Sequence, residues 1–305
     1  MATNKISIIG KPSMGKTTLK KVIFEGEDPN ELILFPLEAT IGIKYSIHEF
    51  MNVKVSLIDA PGQSLQIILE DEQKQLIVFG DSSAIIYVFD YPTWIADSQD
   101  VLDDIKKIYE INKKHESGAK IILFFHKVDL LIKKKIGSML ALIKRQIVNQ
   151  LDLPEEIPIY FTSLHPNLIY TTFNAISNTI STFSKETSTL KDFIKKRLKD
   201  LSKTSCFVSN NDNNLVIQET TSDFDASILY YIYEKIYQLA KSSESISSGA
   251  SMVSLGSKLL TMRIENIGSF HSNFKNLVIF SEVLENDDIT RIIDELKNEL
   301  SQYFN

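Results

Sequence analysis

A single cysteine, Cys206, stands in a chain of 305 residues. One thiol cannot build an internal disulfide framework, so the small stapled secreted folds are excluded and a reducing compartment fits. Cys206 itself reads as a small buried apolar side chain. Long hydrophobic runs are missing too: none reaches the roughly 20 residues that a membrane-crossing helix requires. Met1-Ala2-Thr3-Asn4 lacks the regions of a secretory leader. Ala2 stands where N-myristoylation needs glycine, and Ser301-Gln302-Tyr303-Phe304-Asn305 offers no cysteine for prenylation. These absences predict a cytoplasmic chain with no direct membrane anchor, reaching a membrane only through partners. Positive charge is in deficit: 33 Lys and Arg against 39 Asp and Glu leave a net charge of −6. Broad attraction to nucleic acid or anionic lipid is therefore not expected. Glycine is also scarce, at 11 residues, so a place where glycines fall in a pattern carries information.

That place is Gly10-Lys11-Pro12-Ser13-Met14-Gly15-Lys16-Thr17, which fits the phosphate-binding pattern G-x-x-x-x-G-K-[ST]. Residues 5–9 before it form a short β-branched run that predicts a buried strand. Residues 18–24 after it carry Leu19, Val22 and Ile23 at helical spacing. Strand, tight loop and helix are the order that the chemistry needs. Glycines let the backbone wrap a phosphate, successive N–H groups form an anion nest, and the helix N-terminus adds a favourable field. Lys16 can reach the outer phosphates and the Thr17 hydroxyl can ligate Mg²⁺.

Further candidates follow along the chain. Thr40, in Glu38-Ala39-Thr40-Ile41, precedes a strand and can bind Mg²⁺ and a γ-phosphate; a plain strand-entry residue is the other reading. Asp59-Ala60-Pro61-Gly62-Gln63 follows a second strand. Its acid can hold Mg²⁺ through water, Gly62 can bring an N–H to the γ-phosphate, and Gln63 can orient an attacking water. A surface turn is the alternative there. Residues 83–90 and 120–125 read as buried parallel strands. The second ends in His126-Lys127-Val128-Asp129, whose carboxylate can accept two N–H bonds from guanine while the lysine stem packs on the base. Residues 157–161 lead into Thr162-Ser163-Leu164, whose N–H groups can reach the base. Helices are predicted over 97–113, 136–151 and 167–183. The alternation predicts a doubly wound α/β domain with its ligand at the carboxyl ends of the strands.

Beyond residue 183 the chemistry stops. The sequence predicts a polar linker over 184–188 and a helix over 190–201. Strands over 205–209 and 215–219 flank a turn at 210–214. A helix over 224–239 is apolar on more than one stripe. A Ser/Gly loop over 242–257, strands over 258–266 and 277–282 and a closing helix over 289–303 complete an α+β half.

The motif set resembles the five signatures of small GTPases and is most similar to the Rag/Gtr family. His126 in place of asparagine, the Ala-Thr-Ile around Thr40 and the order of C-terminal elements carry that choice. The resemblance implies a P-loop GTPase domain over 1–186, followed by a smaller α+β domain of roadblock or longin type over 187–305. It implies GTP and GDP as ligands held by Ser13, Met14, Gly15, Lys16, Thr17, Thr18, Thr40, Gly62, His126, Lys127, Asp129, Ser163 and Leu164. Thr17, Thr40 and Asp59 would serve Mg²⁺, and Gln63 would be catalytic. It further implies a homodimer, or a heterodimer with a related GTPase, through the C-terminal domain, with roadblock-type scaffold proteins as further partners. Pro12 departs from the glycine frequent in small GTPases, and Leu164-His165 from the Ile-Trp common in Rag proteins. A slowly hydrolysing molecular switch is the function expected; a nucleotide-loaded scaffold subunit with little hydrolysis is the alternative. Asp129 disfavours an ATPase, because adenine offers no matching N–H pair.

Overall fold

The computed structural model describes residues 4–304 apart from 35, 36, 38, 39, 51, 52, 132–135, 156, 166, 167, 211–214, 222, 225–248, 256, 257 and 271–273. The chain forms two compact units, Met1–Ala175 and Ile176–Asn305. The division falls within a helix, Tyr170–Ile180, ahead of residue 186 where the sequence places it.

The first unit is built on six strands: β1 (Asn4–Ile9), β2 (Lys44–Phe50), β3 (Val53–Asp59), β4 (Ser82–Asp90), β5 (Lys120–His126) and β6 (Ile159–Phe161). Their order is β2-β3-β1-β4-β5-β6. All neighbours are parallel except β2 and β3, which form an antiparallel pair in which Lys44 faces Asp59. The strands before β1 in this order follow it in the chain, and β4 lies on its other side. β1 therefore ends at the topological switch point, where open α/β sheets bind ligands.

β4 shows why the strands read as continuous apolar runs. Ala84 to Phe89 are all buried, so both faces of the sheet are covered. Ile85, Tyr87 and Phe89 join one core cluster with Phe125, Trp94 and Ile105. Phe89 meets Phe125 edge-on at 5.3 Å, and Phe125 meets Phe161 at 5.6 Å, linking three adjacent strand ends.

Around this sheet run α1 (Lys16–Phe24), α2 (Pro29–Leu34), α3 (Leu65–Glu70), α4 (Glu72–Phe79), α5 (Tyr91–Ala96), α6 (Ser98–Lys114) and α7 (Ile136–Leu151). Aspartates start three of them. Asp71, Asp90 and Asp97 each accept a backbone N–H, from Lys74, Thr93 and Asp100 respectively, at 3.0–3.1 Å. In α6 the last turn carries Lys113 and Lys114, which suits the helix dipole.

The second unit holds α8 (Tyr170–Ile180) from Ile176 onward, α9 (Lys185–Leu198) and a five-stranded antiparallel sheet. Its strands are β7 (Thr204–Ser209), β8 (Leu215–Thr220), β9 (Gly249–Leu255), β10 (Lys258–Asn266) and β11 (Asn276–Ser281), in the order β8-β7-β11-β10-β9. Every residue of β11, the central strand, is buried. α9 buries Leu190, Ile194 and Leu198, and the C-terminal helix Asn286–Phe304 buries Ile289, Ile293, Leu296 and Leu300. Arg197 of the first donates to Glu299 of the second at 2.9 Å.

Two expectations are corrected here, and one stretch that the sequence left without an assignment is filled in. The linker over 184–188 is a helix start: Ser184 Oγ accepts from the Thr187 N–H at 3.2 Å, so the serine caps α9. The loop over 242–257 contains β9, whose register with β10 is complete from Gly249 to Leu255. The stretch after Gln63 contains two helices, α3 and α4, that apolar spacing did not disclose. Residues 211–214 of the turn expected at 210–214, residues 225–239 of the helix expected over 224–239, the 242–248 segment and residues 38, 39 and 167 lie outside the described residues.

Candidate functional site

The phosphate-loop residues leave β1 at its carboxyl end and enter α1. Gly10 has φ 147°, and a Cβ there would strike the Val88 carbonyl oxygen of β4. Gly15 begins α1 in the left-handed region at φ 86°, where a Cβ would lie 3.1 Å from His126 Cδ2. Ser13 is left-handed as well, at φ 63°. Only glycine takes the first two positions without strain or collision. Lys16 is buried and spans the loop, its Nζ donating to the Lys11 carbonyl at 2.7 Å. Burial pulls its pKa down to about 8, Asp59 opposes that shift and Lys127 adds to it. Met14 turns its side chain inward, where its sulfur accepts from Thr93 Oγ1 at 3.6 Å.

Three oxygen-bearing side chains from separate segments converge beside the loop. Thr17 Oγ1 lies 2.8 Å from Thr40 Oγ1 and donates to Asp59 Oδ2 at 2.9 Å. Thr40 Oγ1 is 3.4 Å from the same carboxylate oxygen. Asp59 is 1% exposed, and its Oδ1 is buried without a hydrogen-bond partner. A buried carboxylate oxygen without a donor calls for one, or for a cation. One carboxylate and two hydroxyls fit Mg²⁺, which is held by one or two carboxylates and keeps waters and phosphate oxygens as its other ligands. Among the described residues no group of three or more His, Cys, Asp or Glu stands together to hold a metal ion.

Gly62 and Gln63 sit in a short 3₁₀ turn, Gly62–Ser64, ahead of α3. Gly62 is pressed on the phosphate loop: a Cβ would collide with Pro12 N and come 2.5 Å from the Lys11 carbonyl carbon. Gln63 is exposed at the mouth of a cavity of about 220 Å³. Pro12, Ser13, Met14, Gly15, Lys16, Thr17, Thr18, Thr40, Gly62 and Gln63 all border that cavity. Its volume lies below the roughly 300–1,000 Å³ of whole-ligand pockets, so it matches the phosphate end of a nucleotide.

The remaining candidates gather at the exits of β5 and β6 and do not border the cavity. His126 is 2% exposed, lies under Gly15, and shares a 2.9 Å hydrogen bond between its Nδ1 and Thr162 Oγ1. Burial lowers its pKa to about 4, so the ring is neutral at pH 7. Lys127 donates to the Ser13 carbonyl at 2.6 Å and to Asp90 Oδ2 at 2.9 Å. Burial pushes Asp90 upward, but its bonds from Lys127 and Thr93 outweigh that and hold it below the usual carboxylate range. Asp129 accepts from Ser163 Oγ. Ser163 and Leu164 are buried, and the Ser163 N–H is directed to Thr171 Oγ1 at 3.1 Å.

Sequence reasoning missed the residues that brace this set. Asp90 ends β4 directly beside His126 of β5, its partner across the ladder. Thr162 fixes the imidazole, and Thr171 and Thr172 hold Ser163 through its N–H and carbonyl. Asp90 had a usable signal, since an aspartate closing an apolar strand before Tyr-Pro is a helix-cap pattern. Thr162 stood in the Thr162-Ser163-Leu164 stretch already singled out, though not for this role, and Thr171 and Thr172 had no signal.

A family model described as the Gtr1/RagA G protein conserved region matches residues 5–239. GTPase Era of Buchnera aphidicola subsp. Schizaphis graminum (strain Sg) is 32% identical over 141 residues, covering 42% of this chain and 46% of that protein. The chain thus spans about half the length of that relative.

Proposed function

The chain belongs to the Gtr1/RagA family of G proteins, and we propose that it binds GTP and GDP with Mg²⁺ and hydrolyses GTP slowly as a molecular switch. The observation that carries this reading is the convergence of Thr17, Thr40 and Asp59 beside the phosphate loop. In this reading the loop backbone and Lys16 hold the phosphates. Thr17 and Thr40 hold the cation, with Asp59 behind them. What the cation supplies is neutralisation of charge on the β- and γ-phosphates. Gln63 orients the attacking water, and the water's proton leaves toward the phosphate and solvent. Lys127 braces the loop while Asp129 selects guanine, with Ser163 and Leu164 flanking the base and His126 supporting Gly15 from below. A switch also needs segments that respond to the γ-phosphate; Thr40 and Gly62 are placed for that role.

Pro12 favours a second reading, a nucleotide-loaded scaffold subunit with little turnover. It lacks an N–H, and it lies where Gly62 packs.

For the second unit we propose a roadblock-like dimerisation domain, pairing with a second copy or a related GTPase and receiving roadblock-type scaffold proteins. Its five-stranded antiparallel sheet, flanked by α9 and the C-terminal helix, supports this. Among the described residues no helix is long and apolar enough to cross a membrane, so attachment through such partners is part of the proposal.

Single-turnover hydrolysis of GTP and ATP, with and without Gln63→Leu, tests the function. GTP turnover that Gln63→Leu abolishes supports the switch. Tight GTP binding with no turnover in either protein supports the scaffold, and equal affinity for ATP and GTP overturns guanine recognition. Sedimentation of the full chain over a concentration series tests the pairing.

A further inference from the structure

A buried carboxylate away from the nucleotide pocket stands between the phosphate loop and α3. Asp104 lies on α6 and is 1% exposed. Its Oδ1 accepts from Gln66 Nε2 at 2.9 Å, and its Oδ2 accepts from the Tyr87 hydroxyl at 2.9 Å. Lys11 Nζ pairs with Asp100 and stands 4.0 Å from Asp104 Oδ2. An aspartate so deeply buried is stable only when donors surround it, and here they come from three elements.

The donors are not scattered. Gln66 lies in the first turn of α3, three residues after Gln63. Lys11 belongs to the phosphate loop, and its backbone is what Gly62 packs against. The contacts therefore close a ring. The Lys11 backbone touches Gly62, the chain runs through Gln63 to Gln66, Gln66 binds Asp104, and Asp104 faces the Lys11 ammonium. The exposed turn that carries Gln63 is strung between two anchors, one on each side. Tyr87, fully buried in β4, fixes the Asp104 carboxylate within this ring.

We propose that the Gln66–Asp104 hydrogen bond is a latch that holds the Gln63 turn against the phosphate loop, so that Gln66 and Asp104 are positioning residues for GTP hydrolysis. The proposal rests on the function proposed above. Neither residue touches the nucleotide cavity, so the latch acts on the placement of Gln63 and not on nucleotide affinity. It also assigns Lys11: its charge is committed to α6 rather than to phosphate.

The test uses the full chain. Gln66→Ala removes the latch at an exposed side chain, where the fold loses little. Single-turnover GTP hydrolysis is expected to fall about tenfold, because small displacements of a catalytic group cost this much or more. GDP affinity is expected to stay within about twofold, since no phosphate or base contact is removed. Gln66→Glu sets two carboxylates together and is expected to be at least as slow. Combining Gln66→Glu with Asp104→Asn restores a donor and an acceptor, the amide now donating to the glutamate, and is expected to recover most of the rate. A purely structural role would not show that rescue. Amide exchange of residues 62–66 in the GDP-bound proteins gives a readout independent of turnover, with faster exchange expected in Gln66→Ala.

Unchanged hydrolysis in Gln66→Ala together with unchanged exchange would overturn the latch. So would a double variant no faster than Gln66→Glu alone. Wild-type protein that binds GTP but does not turn it over would overturn the hydrolytic reading instead, and the exchange of 62–66 would then decide the latch by itself.

Discussion

The Lys127 ammonium donates to the Ser13 carbonyl at 2.6 Å, across 114 residues of sequence, and binds the Asp90 carboxylate at 2.9 Å in the same step. The segment after β5 is thereby tied to the tip of the phosphate loop. The lysine that the sequence assigns to the base is, in the structure, a brace for the phosphate end.

Lys127→Ala should therefore loosen the phosphate loop as well as the base. A hydrogen bond to a charged group contributes about 1.5–3 kcal/mol, so GDP release is expected to accelerate about tenfold to hundredfold. Stopped-flow release of a fluorescent GDP analogue measures this. Asp90→Asn, which keeps an acceptor but removes its charge, should give a smaller acceleration of the same sign.

Chelation of Mg²⁺ should accelerate nucleotide release in the wild type. In Asp59→Asn the same treatment should have much less effect, because the carboxylate behind Thr17 and Thr40 is already gone. Groups that orient metal ligands typically contribute about 10–100-fold in metal affinity. Titration of nucleotide release against free Mg²⁺ checks the shift in half-saturation.

Two buried bases make the protein's stability rise with pH, each in its own pH window. His126 has a folded pKa of about 4, below the ordinary value of 6.5. The unfolded chain therefore binds more protons than the folded one between these values. The stability contributed is complete above pH 6.5 and is lost as pH falls toward about 4. Thermal unfolding followed from pH 7 down to pH 5 should show this slope, and His126→Asn should flatten it. Lys16, lowered to about 8 by burial, acts at the other end. As pH rises through about 8 the nucleotide-free protein loses its phosphate-facing charge, so GDP association should weaken. Stability of the same nucleotide-free protein should gain from Lys16 over that range, since the unfolded lysine remains protonated up to its ordinary value of 10.5. Calorimetric binding and unfolding on one pH series separate the two.

Gly62→Ala should disturb hydrolysis more than binding. Its Cβ would collide with backbone, not with a side chain that can rotate away, so the Gln63 turn must shift. A loss of about 10–100-fold in single-turnover rate is expected from a displacement of this kind. GDP affinity should change little, and equilibrium titration with GDP checks that half.

What the sequence made legible was the chemistry carried by rare residues. Gly10 is forced by a collision with the Val88 carbonyl and Gly15 by its left-handed φ of 86°, and glycines in a scarce-glycine chain are easy to see. β4 and β5 were legible because strands covered on both faces become apolar at every position. α3 and α4 were not, because their apolar residues point both ways: Ile68 and Val78 are buried while Ile67 and Leu76 are half exposed. Ser184 was misread because serine favours turns and helix starts for the same reason, a hydroxyl that competes for nearby backbone N–H groups. The Lys11–Asp104–Gln66 ring was invisible for another cause. Its members are ordinary surface residue types, brought together by a crossover that no local pattern encodes.

The order of strands in the second unit bears on how the protein is made. β7 leaves the ribosome beside β8, its edge-side neighbour, but its other partner is β11, whose residues begin at Asn276. The centre of that sheet is thus the last strand to be synthesised. The first sheet, by contrast, has all six of its strands by Phe161. Nascent chains therefore carry a completable first unit while the second sheet still lacks its middle. A chain cut short before Asn276 would keep the β7–β8 hairpin with an apolar edge uncovered, the kind of exposed strand on which chaperones and proteases act.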